Sequence, residues 1–209
     1  PWQVLTPWPN AWWNLNVQLS YWSVYPSNRL ELGMPLVDAI GNNLDNLINN
    51  VPEPYRKDAA ALPVATDFTL TGATVNVPGT EKKAQVGNLT WICHNLWLQY
   101  RFSMDESILR NTLYPTLRRA VNFYLPFLTE DKSGKLHLKR TYSPEYGTAE
   151  DCNYDIALLR WGCNTLLEAS RILSVDDELI PRWKQVAEYL TDYPQDENGM
   201  MIGKDVPFS

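Results

Sequence analysis

The sequence predicts a mainly α protein made of helical hairpins, with short β segments in its loops, and three observations lead there. Leu89, Ile92, Cys93, Leu96, Trp97 and Tyr100 recur at i, i+3, i+4, i+7, i+8 and i+11, one face of a 3.6-residue period. Similar stretches follow one another along the chain, whereas period-two alternation is confined to a short run at Leu136 and Leu138. Two acidic turns also match: Ser103-Met-Asp-Glu106 and Ser174-Val-Asp-Asp177 each follow an apolar helix and open the next. Downstream of them, Ala120-Val-Asn-Phe-Tyr-Leu125 resembles Gln185-Val-Ala-Glu-Tyr-Leu190. Repeated helical hairpins bury their faces on neighbouring hairpins, which produces a solenoid or a closed ring.

In chain order, a first helix is expected from Asn14 to Tyr25, ended by Pro26. A second starts near Pro35, carries Leu36, Ile40, Leu44, Leu47 and Ile48, and stops before Pro52. A short helical turn follows over Pro54 to Ala61, because Pro suits a first helical position. Residues 63–86 mix Thr, Val, Gly and Pro without a helical period and are expected to form a long loop or short hairpin. The third helix is the one quoted above. The fourth runs from Asp105 to Leu125 through Leu109, Leu113, Leu117 and Val121. Lys132-Ser-Gly-Lys135 is a turn, the fifth helix covers Asn153 to Leu173, and the sixth covers Asp177 to Leu190. The serines of the two matched turns are of the capping type, with acidic residues where a helix N-terminus favours them. Asp196-Glu-Asn-Gly199 then turns the chain into Met200, Met201 and Ile202.

Composition excludes several classes. With 209 residues, 44% hydrophobic and 20% charged, the chain has material for a core and suits one domain or a large fragment of one. A net charge of −6 without a basic cluster argues against nucleic acid as a partner. No apolar run approaches the ~20 residues of a membrane span. Pro1-Trp2 begins neither with Met nor with a secretory signal, so the chain is expected to start inside a longer polypeptide or at a processing site, and its start gives no compartment. Cys93, Cys152 and Cys163 are expected as free thiols, the first and last in buried helical faces. Neither they nor His94 and His137 have metal-ligand spacing, and no metal or cofactor is expected.

The aromatic content points elsewhere. Nine Trp and eleven Tyr are present, concentrated at the front in Trp2, Trp8, Trp12, Trp13, Tyr21, Trp22 and Tyr25. Flat aromatic faces stack on sugar C–H faces, although ordinary packing uses the same residues.

Three groups of residues could carry chemistry. Thr141-Tyr-Ser-Pro-Glu-Tyr-Gly147 sets Glu145 on a rigid turn after Pro144, between Tyr142 and Tyr146. A carboxyl against aromatic surface is disfavoured in its charged form, which suits a general acid, but a solvated loop glutamate fits the string equally. Asn14 and Asn16 stand two apart at a helix start, so they share no helical face unless the first lies just outside. Their amides could hold a water or a sugar hydroxyl, or Asn14 could cap the helix. Glu150, Asp151 and Asp155 cluster at the start of the fifth helix, either as partners of its dipole or as ligands of sugar hydroxyls.

Together, Asn14-Leu-Asn16-x-Gln18 with Tyr21-Trp22, Trp97-x-x-Tyr100-Arg-Phe102 followed by Ser-Met-Asp, and Ser143-Pro-Glu145 resemble glycoside hydrolase family ninety-five. Its members are inverting α-L-fucosidases and α-L-galactosidases with an (α/α)6 toroid. The resemblance runs from Trp8 to Phe208 and implies that residues 1–209 are a partial catalytic domain, the front half. Six helices make three hairpins, about half of such a ring. It implies Glu145 as the general acid and Asn14 and Asn16 as the pair that positions the attacking water. Trp12, Trp13, Trp22, Tyr146 and Asp151 are then candidates for substrate binding. Inversion needs a second carboxylate across the sugar, about 6.5–9.5 Å away. In the family that base comes from the later half of the barrel, and no residue here matches it. The family usually continues Ser-Pro-Glu with Asn, where Tyr146 stands here; Ser23-Val-Tyr25 also departs from the usual small-and-acidic continuation.

The expected function is therefore exo-acting glycoside hydrolysis by inversion in the full-length protein, on an oligosaccharide or glycoconjugate, in the periplasm or outside the cell, with this fragment inactive alone. A non-catalytic helical module binding carbohydrate or protein is the alternative, and a phosphorylase or polysaccharide lyase is a third reading. A half-ring should expose apolar faces and self-associate.

Overall fold

The computed structural model describes residues 10–208, so Trp2, Trp8 and Ser209 lie outside the described residues. The order is β1 (Ala11–Trp12), α1 (Asn16–Trp22), α2 (Met34–Asn42), α3 (Leu44–Asn49), β2 (Ala65–Thr66), α4 (Asn88–Ser103), α5 (Glu106–Ile108) and α6 (Tyr114–Tyr124). Then come β3 (Leu128–Glu130), β4 (Leu136–Leu138), β5 (Thr141–Ser143), β6 (Gly147–Ala149), α7 (Asn153–Leu173), α8 (Ile180–Tyr189), β7 (Gln195–Asp196) and β8 (Gly199–Met200). About half of the described residues are helical, and the strands form four antiparallel two-stranded pairs: β1 with β2, β3 with β4, β5 with β6, β7 with β8. The protein is mainly α, and its helices close no ring among the described residues.

Helix α7 spans the same residues that periodicity assigns to the fifth helix. Elsewhere, polar side chains and prolines interrupt what apolar spacing alone joins. The expected second helix breaks at Asn43, whose Nδ2 donates to the Ala39 carbonyl at 2.8 Å, competing with the backbone ladder. The expected fourth helix contains a π-helical turn at Leu109–Leu113. Pro115, just beyond it, has no N–H for the carbonyl of Asn111, and the wider turn accommodates its ring. The expected turn over Pro54 to Ala61 contracts to a 3-10 turn at Glu53–Tyr55.

The matched acidic turns work differently from the serine caps expected of them. Met104 and Ser174 take left-handed φ values of 56° and 53° and end α4 and α7. Asp105 then caps α5, accepting from Ser107 N at 2.9 Å, while Asp177 accepts from Leu179 N at 3.0 Å in the turn that leads into α8. Asp177 is also gripped by Arg118 Nε at 2.7 Å and by the Tyr114 hydroxyl at 3.0 Å, which fastens the start of α8 to α6. That turn and Pro181 explain why α8 starts at Ile180 rather than at Asp177.

Helix α4 is the pillar of the fold. Leu89, Ile92, Cys93 and Leu96 are fully buried, and so are polar residues on its other sides. Those amides hold distant backbone: Asn88 Nδ2 donates to Leu62 O at 3.2 Å, Asn95 Nδ2 to Gln18 O at 3.0 Å, and Gln99 Nε2 to Leu30 O at 2.9 Å. These bonds tie α4 to an irregular segment at Leu62, to α1 at Gln18 and to a 3-10 turn at Leu30, satisfying carbonyls that folding takes wholly or partly from water. Helices α4, α6 and α7 meet at Gly162, where an added Cβ would stand 2.7 Å from Val121 Cγ2 and 3.4 Å from Thr90 Cγ2. Cys93, Cys152 and Cys163 are free and buried, and burial pushes the thiols of Cys152 and Cys163 up to about 12.

Candidate active site

The front segment reaches its place through a chain of bonds. Ala11 and Trp12 pair with Thr66 and Ala65, Trp13 N donates to Val64 O at 2.8 Å, and Trp13 Nε1 donates to Thr66 Oγ1 at 2.8 Å. Behind it Gln18, fully buried, donates to the Trp13 carbonyl and hands its own carbonyl to Asn95 of α4. The turn between β1 and α1 is thereby pinned at both ends. Leu15, not Asn14, occupies the cap position of α1, and it makes no side-chain cap bond. Asn14 lies just outside the helix, with its amide free for another partner.

That partner is Glu145. The β5–β6 hairpin turns through Ser143-Pro-Glu-Tyr146, closed by Tyr146 N donating to Ser143 O at 3.2 Å. Proline in second place and a third residue with φ of 70° give a type II pattern, which usually asks for Gly at that third place. Glu145 is that third residue, and holding a non-glycine there costs about 1–3 kcal/mol, a kind of strain that collects at functional sites. The side chain is exposed, and Asn14 Nδ2 stands 3.5 Å from its Oε1 across 131 residues of sequence.

A cavity of about 670 Å³ opens around the pair, lined by Trp12, Asn14, Asn16, Val17, Tyr21 and Glu145 among others. That size lies within the usual span of small-ligand sites, about 300–1,000 Å³. Apolar walls and convergent amide and carboxyl groups suit a polyhydroxylated ring. Burial raises the Tyr21 phenol, so it stays a neutral donor. Among the described residues that line the cavity, Glu145 is the one carboxylate.

Other sequence candidates go elsewhere. Trp13 is buried, with its indole spent on Thr66, so it supports the wall from behind. Trp22 stands 44% exposed on the outside of α1. The expectation that Tyr142 and Tyr146 desolvate Glu145 is not met: Tyr142 lies under the Lys83 ammonium at 4.7 Å, and Tyr146 leans on Phe208 with ring centroids 4.9 Å apart. Asp151 is not brought to the cavity. It is 2% exposed, its Oδ1 accepts from Leu138 N at 2.8 Å and its Oδ2 meets His137 Nδ1 at 2.7 Å. His137 also reaches Asp131 Oδ2 at 3.3 Å; burial opposes its charge, but the two carboxylates prevail and its pKa is raised. This cluster ties the β3–β4 hairpin to the start of α7, leaving no oxygen of Asp151 for a sugar. Sequence reading missed Gln18 as a scaffold and Tyr21 as a wall; the spacing Asn14-x-Asn16-x-Gln18 was the signal available for the first.

Comparison with known proteins follows the same line. Residues 2–202 match the model of the glycosyl hydrolase family 95 catalytic domain. The chain belongs to that family. It is 26% identical over 186 residues to "Alpha-L-fucosidase 2" of Arabidopsis thaliana, covering 83% of this chain and 22% of that protein. It is 25% identical over 137 residues to "Probable alpha-fucosidase A" of Aspergillus niger, covering 64% of this chain and 17% of that protein. The chain thus spans about a fifth of the length of these relatives. In fold it is similar to a "Putative kojibiose phosphorylase from human microbiome", with a TM-score of 0.55, 12% identity, and coverage of 76% of this chain and 25% of the other. Together these likenesses show membership of family 95 and a mainly helical fold shared with part of that structure.

Proposed function

We propose that this chain supplies the general acid and the water-positioning amides of an inverting, exo-acting glycoside hydrolase whose substrates are α-L-fucosides or α-L-galactosides. The single observation that carries the proposal is the meeting of Asn14 and Glu145 at the mouth of a shared cavity. Glu145 protonates the leaving oxygen. Asn14 and Asn16 orient the attacking water, Trp12 and Tyr21 wall the sugar, and Tyr146 beside the acid meets the leaving group. A pyranose between acid and amides requires the 3.5 Å contact to open, which an exposed glutamate on a turn does by rotating its side chain. The opposing base belongs to a part of the enzyme beyond these residues, consistent with the fraction of its relatives that the chain spans. By kinship the enzyme works in the periplasm or outside the cell; among the described residues no helix is long and apolar enough to cross a membrane.

The test uses the full-length protein and Glu145→Gln. Turnover of an unactivated fucosyl disaccharide should fall by about 10²–10⁴, the span of general acid catalysis. An aryl α-L-fucoside, whose leaving group needs little protonation, should lose far less. Equal and negligible losses on both would remove Glu145 from the role. The fold likeness also favours a second reading, a phosphorylase, which phosphate-dependent turnover would reveal. Sugar binding by calorimetry without turnover would instead mark a non-catalytic module.

A further inference from the structure

The hairpin that carries Glu145 is held from below, and the holding group has no part in the chemistry above. Strand β5 enters the core at Thr141, fully buried, while Tyr142 N bonds to Ala84 O at 3.0 Å. Beneath Thr141, in the first turn of α7, lies Asp155, also fully buried. Its Oδ1 accepts from the Tyr124 hydroxyl of α6 at 2.8 Å. Asp155 Oδ2 and Thr141 Oγ1 each lack a hydrogen-bond partner of normal geometry, yet the two groups are close enough for the threonine hydroxyl to act on the carboxyl.

A helix-dipole partner at the surface, the ordinary role of Asp in a first turn, does not fit a carboxyl sealed from water. Nor does an ion pair: the groups that act on Asp155 are the hydroxyls of Tyr124 and Thr141 and the thiol of Cys152, none of them a cation.

We propose that Asp155 is the positioning residue of the acid hairpin, linking Thr141 on β5 to Tyr124 on α6 and so fixing where Glu145 stands relative to Asn14. Burial raises the carboxyl to about 7, against the opposing pull of the neighbouring hydroxyls and thiol, so near neutrality it carries a proton for much of the time. With Oδ1 accepting from the phenol, Oδ2 is left for the neighbouring threonine hydroxyl, which can donate to the charged carboxyl or accept from the protonated one. Thr141 lies four residues from Glu145, about 13 Å along extended chain at ~3.3 Å per residue. A tilt of the strand at its buried end is therefore magnified at the turn, and ~1 Å of misplacement at a reacting group costs about a hundredfold in rate.

The inference rests on the acid role of Glu145, and the experiment separates the two. In the full-length protein, turnover of an unactivated fucosyl disaccharide is compared with that of an aryl α-L-fucoside for Glu145→Gln, Asp155→Ala, Asp155→Asn and Thr141→Val. Asp155→Ala and Thr141→Val should lower the disaccharide rate about tenfold or more, with a much smaller loss on the aryl substrate. Asp155→Asn, which keeps an acceptor oxygen and places an N–H donor group beside it in the same shape, should restore most of that loss. If Glu145→Gln shows the leaving-group dependence while Asp155→Ala and Thr141→Val slow both substrates equally or neither, the positioning role is overturned and the acid assignment stands. If Glu145→Gln shows no such dependence, both fall. Thr141→Val removes one buried hydroxyl without changing volume, so it decides the matter even where Asp155→Ala does not fold.

Discussion

Gly162→Ala tests the helical packing on which the site rests. Glycine within a helix costs about 1 kcal/mol relative to alanine, so local propensity favours the substitution by that amount. The surroundings oppose it. The new methyl would lie 2.7 Å from Val121 Cγ2, 3.4 Å from Thr90 Cγ2 and 3.5 Å from Leu117 Cδ1. Carbon atoms settle at about 3.5–4.0 Å, so only the valine contact is a serious overlap, close to 1 Å. Val121 is fully buried, and a β-branched side chain within a helix keeps one rotamer, so it cannot swing aside. Overpacking of this kind costs about 1–3 kcal/mol, and subtracting the propensity gain leaves a net loss of up to about 2 kcal/mol. For a chain of this size that lowers Tm by up to about 8 °C, measured by circular dichroism on the 209-residue chain. The decisive arm is the double variant. In a Val121→Ala background the overlap is gone and part of a cavity is filled, so the same Gly162→Ala step should stabilise by up to about 1 kcal/mol. A rise in Tm from the single substitution, or additivity of the two within about 0.5 kcal/mol, would refute the close three-helix crossing.

Three further outcomes are expected. Acid should destabilise the fold through Asp177: burial alone would raise its pKa, but the Arg118 hydrogen bond and ion pair hold it down. Its stabilisation is therefore full above the unfolded value near about 4 and fades as pH falls towards the lower folded value, and Asp177→Asn should flatten that part of a Tm-against-pH curve. His137 has the opposite sign: its raised pKa stabilises below about 6.5 and the benefit is lost as pH rises through the folded value, so His137→Gln should remove the alkaline slope. The isolated chain should self-associate through the exposed stripe of Leu15, Leu19 and Trp22 on α1, at 44%, 42% and 44% exposure; Leu19→Glu with Trp22→Glu should return it towards monomer in sedimentation, and a wild-type chain already monodisperse would count against the stripe.

Much of the helical plan was legible in the sequence because apolar periodicity is local. Asn153 to Leu173 could be delimited on spacing alone, and no partner had to be known. Interruptions were less legible: Asn43 looks helical until its amide is seen bonding back to Ala39, and Pro115 does not announce that a π turn will absorb it. Capping residues sat at shifted positions, since Met104 and Ser174 end helices, Asp105 starts one, and Asp177 holds the turn before the next.

At the site the division is sharper. Sequence by itself pointed to the family, through Asn14-x-Asn16-x-Gln18 and Ser143-Pro-Glu145 in order, and the match of residues 2–202 to the family 95 catalytic domain shows it. It left Glu145 undecided between acid and solvated loop residue, and Asn14 undecided between amide ligand and helix cap. Only the tertiary structure freed Asn14 from the helix and set it beside Glu145, since 131 residues separate them and no local pattern encodes that approach. It also withdrew Asp151 and Trp13 from the cavity into the framework, because the oxygens of the one and the indole nitrogen of the other are spent on buried partners. Whether a polar side chain serves a ligand or the fold depends on which partners folding has already supplied, and that is a property of three dimensions.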